Sequence, residues 1–412
     1  MRLVFFIFTV LAGWTWVEGE PGEGLIGRIT AADIFGMLLI FSASIFILLK
    51  RDKRFLFPSL YVYYMPVLLV FLVSGFVAGN KTIALFEVVI HLFILLVSLS
   101  IINLSDIVDE EEIKRYLVAV LYGASAVAVL GILHFFFFSS LFSGSQGGLS
   151  GTFRNTGQAG AYFGLFIALF APAFMSRYLS FNLCRAIALL AIVVALLLTF
   201  KRSFWIGTIS GLVFSLIGCL YLRRLSMVKI ALATIFTSAM CGIVLAGVFS
   251  FAVDNVAGVQ GRFDRKMTGD VVEKFMDGFF ESNIEKSITA FHSSPVIGIG
   301  LSNYRSQFGG RYEIHGTWLA LLAYSGVLGV LAAALFFALV VRRMYLASRN
   351  SLSREQSDFL ILLVFFFFGL LIAWLYTYPL RKRELWIYIT LVSILMMNVS
   401  RGRARLLTTE DE

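Results

Sequence analysis

The chain has 412 residues, of which 59% are hydrophobic and 14% charged, and its mean hydropathy is +0.88. A soluble domain is close to half apolar and about a quarter charged, so this composition excludes an ordinary soluble protein and predicts repeated membrane crossing. The Lys and Arg residues behind the net charge of +9 lie mostly in the loops between apolar runs, where membrane proteins carry positive charge. We therefore expect no nucleic-acid partner. Three cysteines lie in or beside apolar runs, which predicts no disulfide framework and no thiolate metal site: Cys184, Cys219 and Cys241.

Apolar runs of roughly membrane-spanning length follow one another from the N-terminus. The first, residues 1–17, could be a cleaved signal peptide. We favour a retained span, because Trp14 and Trp16 form an interfacial belt and no small-x-small cleavage site follows. Residues 106–116, acidic and then basic, are expected to form a solvated loop. Seven more spans are predicted in the first half of the chain, at residues 30–49, 57–78, 83–104, 117–138, 161–175, 186–200 and 204–222.

A long polar loop, residues 254–314, separates a ninth span from the last three. Within it, residues 271–280 have the apolar spacing of an amphipathic helix, and Ser282 with Glu285 forms a capping box for a second helix that ends before Pro295. The predicted fold is therefore all-α, with about twelve transmembrane helices and a long helical loop between spans nine and ten. The remaining spans are expected at residues 230–253, 317–341, 359–378 and 385–399, which divides the chain into spans one to nine (1–253), the loop (254–314) and spans ten to twelve with a tail (315–412).

Loop charge predicts the orientation of the chain in the membrane. With the N-terminus inside, 19 of the 34 Lys and Arg residues lie in inner segments, and only eight lie in short outer segments. Because positive charge is retained on the cytoplasmic side, both termini are expected in the cytoplasm and the long loop on the periplasmic or extracellular face.

Several polar residues are expected at the outer face, at the ends of apolar helices. An arginine at such a position often does no more than contact lipid headgroups, and a histidine often does no more than cap a helix. Together they predict a cationic site with a titratable group that could act as a base near neutral pH. These residues are Arg154 with Asn155, Lys201 with Arg202, the loop cations Arg262, Arg265 and Lys266, and His315.

Guanidinium groups match phosphate oxygens in pairs, so a pyrophosphate-linked lipid with its headgroup at the outer leaflet would fit this site. The sequence contains no Walker loop, no Gly-x-Ser-x-Gly and no His-Glu-x-x-His, and its histidines show no ligand spacing with one another. We therefore expect no metal and no cofactor.

Residues 295–304 (PVIGIGLSNY) are followed by His315 and Gly326, residues 151–155 read GTFRN, and residues 199–203 read TFKRS. These segments resemble the signature and the two upstream motifs of the O-antigen ligase and O-antigen polymerase superfamily of bacteria. The resemblance implies a glycosyltransferase of the GT-C-like class. Such an enzyme takes a glycan from undecaprenyl pyrophosphate at the outer face of the inner membrane. It transfers the glycan to lipid A core or to another repeat unit.

The resemblance further implies that Arg202 holds the pyrophosphate and that His315 activates the acceptor hydroxyl. For that reaction, the missing side chain of Gly316 would leave room for a bulky acceptor, and Trp318 could stack on a sugar ring. Two positions depart from the family. Gly316 stands where an asparagine is common, and the helix before residue 295 offers Lys286 where an arginine is common. The second phosphate ligand is therefore open, and the candidates are Arg262, Arg265, Arg305 and Arg311.

Two other classes remain as alternatives. A polysaccharide flippase or transporter would need charges or broken helices near the middle of the membrane, and Glu87 with His91 in the fourth span is the pair that offers this. A structural subunit of an export complex would have no need for cations and a histidine converging on one face.

Overall fold

A computed structural model describes residues 1–14, 30–49, 55–105, 109–137, 148–153, 155–222, 282–309 and 314–410, together with positions 247 and 250. Within these residues the chain is all-helical, as predicted, and contains no strand. The helices are α1 (Arg2–Ala12), α2 (Ala31–Leu49), α3 (Ser59–Val77), α4 (Lys81–Ser105), α5 (Glu110–Phe137), α6 (Thr156–Met175), α7 (Leu183–Leu198), α8 (Arg202–Tyr221), α9 (Ser282–Ser293), α10 (Tyr304–Phe308), α11 (Thr317–Asn350), α12 (Arg354–Ala373) and α13 (Arg383–Glu410).

Nine helices in the described part of the chain are long and apolar enough to cross a membrane: α2 to α6, α8 and α11 to α13. Two other apolar helices are shorter, since α1 has 11 residues and α7 has 16. Every predicted span within the described residues therefore coincides with an apolar helix. Apart from positions 247 and 250, the predicted ninth span, 230–253, lies outside the described residues, and so does the amphipathic helix predicted at 271–280.

Several helix boundaries differ from the predicted ones, and charged residues explain the difference. The predicted loop at 106–116 is wrong from residue 110 onward, because α5 already begins at Glu110. Acidic residues favour the positive end of a helix dipole, and the carboxylate of Asp109 accepts a hydrogen bond from the backbone N–H of Glu112 at 2.8 Å. Lys114 forms salt bridges with Glu110 and Glu111 at 3.4 and 2.7 Å, and pairs at this spacing stabilise a helix. At the same end of the bundle α11 continues past the apolar run to Asn350.

Polar caps and small residues explain how the helices begin and pack. The side chains of Asn155, Asn182 and Ser353 each accept a hydrogen bond from a backbone N–H in the first turn of α6, α7 and α12. Helices α8 and α12 are in close backbone contact, because a β-carbon added at Gly369 would lie 2.2 Å from the backbone nitrogen of Gly211. Small residues of this kind let apolar helices approach closely in a membrane.

Helix α11 is broken at Gly326, whose φ of 61° and ψ of −162° are not helical. A break within a membrane span exposes backbone groups that neighbouring protein must satisfy. The segment that follows α9 supplies the partners: the carbonyl oxygens of Pro295 and Val296 accept from the N–H groups of residues 327 and 328 at 2.9 and 3.2 Å. In return, the N–H groups of Ile299 and Gly300 donate to the carbonyl oxygens of residues 323 and 324 at 3.1 and 3.0 Å.

The glycines of residues 295–304 make this close approach possible. Gly298 has a φ of 73°, and a β-carbon there would lie 2.3 Å from the backbone nitrogen of Ser325. Gly300 has a φ of 89°, and its β-carbon would lie 2.4 Å from that of Ala78. Both positions therefore need glycine for conformation and for space. Asn303 completes the attachment by exchanging side-chain hydrogen bonds with the backbone of Asn80 at 2.9 and 3.1 Å.

Candidate functional site

A cavity of about 270 Å³ lies at the end of the bundle where α4, α6, α8, α11 and α13 begin and α12 ends. This volume is at the lower end of the range of small-molecule sites, which is about 300–1,000 Å³. Aromatic and apolar side chains form most of its wall. The titratable residues that line it are Glu87, His91, His315, Tyr324, Tyr376, Tyr378, Arg381, Lys382 and Glu384.

His315 lies at the rim of the cavity, immediately before α11. Its backbone N–H donates to the side-chain oxygen of the buried Asn283, on α9, at 2.8 Å. Partial desolvation lowers the pKa of the His315 imidazole, and the charges of Lys201, Lys286 and Lys382 lower it further. His315 is therefore neutral near pH 7 and able to accept a proton.

The prediction that Gly316 leaves room for an acceptor is wrong. Gly316 has a φ of 92°, and a β-carbon there would lie 2.4 Å from the carbonyl oxygen of Leu375. The end of α12 fills this space, where the N–H of Thr317 donates to the carbonyl of Trp374 at 2.9 Å. The glycine therefore serves to bring the two chain segments together, with His315 at the junction.

The segment between α12 and α13 places three consecutive cations in three different environments. Arg381 donates from Nη1 to both carboxylate oxygens of Glu87 at 2.8 Å. Arg383 donates from Nη2 to both carboxylate oxygens of Asp33 at 2.6 and 2.7 Å. Lys382, between them, lines the cavity, and its side chain makes no hydrogen bond within the described structure.

Burial lowers the pKa of the Lys382 ammonium to about 8, and the charges of Arg381 and Arg383 act in the same direction. The carboxylate of Glu384 opposes them. Burial removes the water that would otherwise stabilise the charge of Lys382. A bound anion would stabilise that charge instead, so this environment favours anion binding.

Glu87 holds the cation segment against α4. Its side chain is 7% accessible, whereas that of Arg381 is 44% accessible and lines the cavity. Ser302, from the loop that supports the broken α11, lines the same cavity. Because the carboxylate of Glu87 accepts both hydrogen bonds from Arg381, it fixes the part of the cavity wall that precedes Lys382.

A second histidine, His91, lies one turn further along α4 than Glu87 and also lines the cavity. It is fully buried, and its Nδ1 is 2.8 Å from the hydroxyl of Tyr64, which is also fully buried. The ring of Tyr378 lies edge-on to His91, with centroids 6.3 Å apart. Among the described residues, neither Nε2 of His91 nor the hydroxyl of Tyr378 has a hydrogen-bond partner.

The predicted site residues are brought together only in part. His315 and Asn155 line the cavity, and Asn155 uses its side-chain oxygen to accept from the N–H of Gln158 at 2.9 Å. Lys201 lies close by, since a β-carbon added at Gly157, in the cavity wall, would be 3.9 Å from its Nζ.

Three other predicted residues are described but do not line this cavity. Arg202 is the first residue of α8, Arg305 is exposed on α10, and Trp318 packs edge-on against Phe337 at 6.0 Å between centroids. The remaining predicted residues, Arg154, Arg262, Arg265 and Arg311, lie outside the described residues.

The cations and the tyrosine that follow α12 are not among the predicted site residues. Arg381, Lys382 and Arg383 contribute to the sequence prediction only as charge in a short outer segment, although three adjacent basic residues followed by Glu384 at the end of a span are a visible pattern. Tyr378 carries no comparable signal. Glu87 and His91 were recognised by their spacing along α4, but as evidence for transport.

Neither a scan against protein-family models nor a search of curated proteins finds a match for this chain.

Proposed function

We propose that this chain is a membrane glycosyltransferase that moves a glycan from undecaprenyl pyrophosphate to an acceptor hydroxyl. The acceptor is lipid A core, as in an O-antigen ligase. The observation that carries the proposal is a histidine with a lowered pKa at the rim of a cavity whose wall also contains Arg381 and Lys382. The sequence resemblance at residues 151–155, 199–203 and 295–304 points to the same chemistry.

The reaction needs a base and a cationic site close together. The acceptor oxygen attacks the anomeric carbon of the first sugar, the bond from that carbon to pyrophosphate breaks, and undecaprenyl pyrophosphate leaves with its electron pair. His315 takes the proton of the acceptor hydroxyl as the new bond forms, which contributes roughly 10²–10⁴-fold to the rate. Neutralising the departing phosphate stabilises the transition state, and this role falls to Lys382 and Lys201.

The backbone adds to this electrostatic arrangement. Helices α6, α8, α11 and α13 all begin around the cavity, so the positive ends of four helix dipoles face the same region. With these cations the proposed reaction calls for no metal and no nucleotide. Arg202, at the start of α8, is assigned to the phosphate by the sequence resemblance alone.

The proposed setting is the bacterial inner membrane, with about twelve spans, the cavity facing the periplasm and both termini in the cytoplasm. Charge bias supports this orientation, because 19 of the 34 Lys and Arg residues lie in segments that the sequence predicts to be inside. In a cysteine-free background, cysteines at the exposed positions Glu285 and Arg349 are expected to react with an impermeant thiol reagent from opposite sides. Reaction of both from one side contradicts the orientation.

Two alternatives have specific support. A repeat-unit polymerase would use the same donor and the same base, with another glycan as acceptor. A polysaccharide flippase is favoured by the broken α11 and by the buried Glu87 and His91 on α4, since transporters place sites at interrupted helices. Against transport, the charge of Glu87 is already compensated by Arg381.

Deletion of the gene, followed by gel analysis of surface glycan, tests the proposal. A ligase predicts the loss of all polymer from the lipid A core, with lipid-linked polymer accumulating at the outer leaflet. A polymerase predicts single repeats that remain attached to the anchor. Donor retained at the inner leaflet indicates a flippase, and unchanged surface glycan contradicts the whole proposal.

A further inference from the structure

The inner part of the cavity differs chemically from its rim. Glu87 and His91 lie six and ten residues after the first residue of α4, which is roughly 9 and 15 Å along the helix axis. The rim contains the ammonium group of Lys382 and the neutral imidazole of His315. The inner part, which we call the floor, consists of His91, Tyr378, Glu87 and Arg381, and it combines hydrogen-bond donors with a carboxylate acceptor.

Two polar atoms of the floor have no partner in the described structure, Nε2 of His91 and the hydroxyl of Tyr378. A buried polar group without a hydrogen bond costs about 1–3 kcal/mol. Such groups are therefore expected where a bound molecule completes their hydrogen bonds. Both residues line the cavity, so these atoms lie at its wall.

The contact between Tyr64 and His91 determines what His91 offers. Tyr64 has no other hydrogen-bond partner within the described structure, and a neutral imidazole carries one N–H. When Tyr64 donates to Nδ1, no buried O–H is left without an acceptor, and the proton of the imidazole lies on Nε2. His91 therefore presents an N–H donor to the cavity. Burial raises the pKa of Tyr378, so its hydroxyl keeps its proton and can donate or accept.

The hydrogen-bond donors and acceptors of the floor favour one chemical class of ligand over others. A phosphate accepts only, so the carboxylate of Glu87 would repel it. An apolar chain would leave the N–H of His91 and the hydroxyl of Tyr378 unsatisfied. A hydroxyl group both donates and accepts, which matches the mixed set. Tyr324 and Trp374 line the same cavity and offer aromatic surface for the C–H groups of a sugar ring.

We propose that the floor formed by His91, Tyr378, Glu87 and Arg381 is a binding site for a saccharide ring of the donor, held through its hydroxyl groups. This inference rests on the proposed function. The donor is favoured over the acceptor because its first sugar is bonded directly to phosphate. A phosphate at Lys382 therefore places that sugar beside the adjacent residue, Arg381.

Tyr378→Phe is the most direct test, because it removes one hydroxyl that has no partner in the protein and keeps the ring. Tyr178→Phe is a matched control: its hydroxyl is also buried without a partner in the described structure, but the residue stacks on Phe359 and does not line the cavity. His91→Asn and His91→Gln form a second pair. Asparagine keeps a polar atom near Nδ1 for Tyr64 and removes the donor at Nε2, whereas glutamine retains a donor near Nε2.

The measurement is the dissociation constant of the full chain in nanodiscs for three probes. These are the undecaprenyl-pyrophosphate-linked glycan extracted from the source cells, undecaprenyl pyrophosphate without sugar, and purified lipid A core. Tyr378→Phe and His91→Asn are expected to weaken binding of the first probe roughly three- to tenfold, as for the loss of one buried hydrogen bond. Both variants should bind the sugar-free lipid as the wild type does. Tyr178→Phe should change neither constant, and His91→Gln should retain most of the affinity for the first probe.

The remaining outcomes overturn the inference in different ways. Equal weakening for both undecaprenyl lipids means that the floor binds phosphate, and weakening for lipid A core alone means that it binds the acceptor. No change for any probe means that the floor binds no saccharide. If the wild-type protein binds neither undecaprenyl lipid, the proposed function fails as well. Binding by the wild-type protein therefore distinguishes failure of the saccharide site from failure of the proposed function.

Discussion

Glu87→Gln provides a quantitative test of how the cavity wall is held. The substitution keeps the shape of the side chain and leaves Arg381 without the carboxylate that both of its 2.8 Å hydrogen bonds require. Removing one partner of a buried ion pair costs about 3–5 kcal/mol. Because 44% of the Arg381 side chain is accessible, solvent screens part of this loss, and we expect about 1–3 kcal/mol.

The assay is reversible denaturation of the purified protein in mixed micelles, which measures the free energy of unfolding. A double variant, Glu87→Gln with Arg381→Gln, should recover most of the loss, because it leaves no uncompensated charge. Asp33→Asn is a control that breaks the second ion pair, with Arg383, away from the cavity. It should reduce stability without affecting glycan transfer, whereas Glu87→Gln should reduce both. Wild-type stability of Glu87→Gln, or no recovery in the double variant, refutes the reasoning.

Three further predictions concern the rim and its support. Transfer should rise with pH below about 6.5, as His315 loses its proton, and fall near pH 8, as Lys382 loses its charge; Lys382→Arg should move the upper limb to higher pH. Gly298→Ala should cost about 2 kcal/mol or more in unfolding free energy, whereas Gly309→Ala, which shares a positive φ but meets no described atom within 4 Å, should cost less. Arg202→Lys should slow transfer if the guanidinium binds phosphate in a bidentate manner, and a wild-type rate at normal expression assigns it to lipid headgroups.

The helical architecture could be predicted from sequence because the bilayer requires long apolar segments. Each predicted span within the described residues coincides with an apolar helix, and errors are confined to the ends, where charged residues extend α5 and α11. Hydropathy carries no information on such extensions, because capping and salt bridges stabilise them instead.

The break in α11 could be predicted less well. The sequence predicts a motif at residues 295–304, but its structural role follows from backbone hydrogen bonds between residues 295–300 and residues 323–328, which periodicity does not reveal. The same limit explains the error at Gly316. A glycine beside a candidate catalytic residue suggests space, yet the space is taken by the carbonyl of Leu375, which is distant in sequence.

The candidate site could be predicted only where one residue carried a strong chemical signal. His315 could be predicted because a titratable imidazole at the water-facing end of a span is a candidate base near neutral pH. Arg381 and Lys382 belong to a run that also contains Arg383, and sequence alone does not separate a cation that pairs with Asp33 from one that lines a cavity. That distinction depends on which helices are neighbours, and only the fold supplies it.

The most direct test of the central claim is the rate of glycan transfer by purified His315→Ala protein with lipid-linked donor and acceptor. His292→Ala is a control, because His292 is an exposed histidine on α9 that does not line the cavity. The account predicts that His315→Ala transfers roughly 10²–10⁴-fold more slowly while still binding the donor, and that the control transfers normally. Transfer by His315→Ala within a few-fold of the wild-type rate contradicts the assignment of His315 as the base.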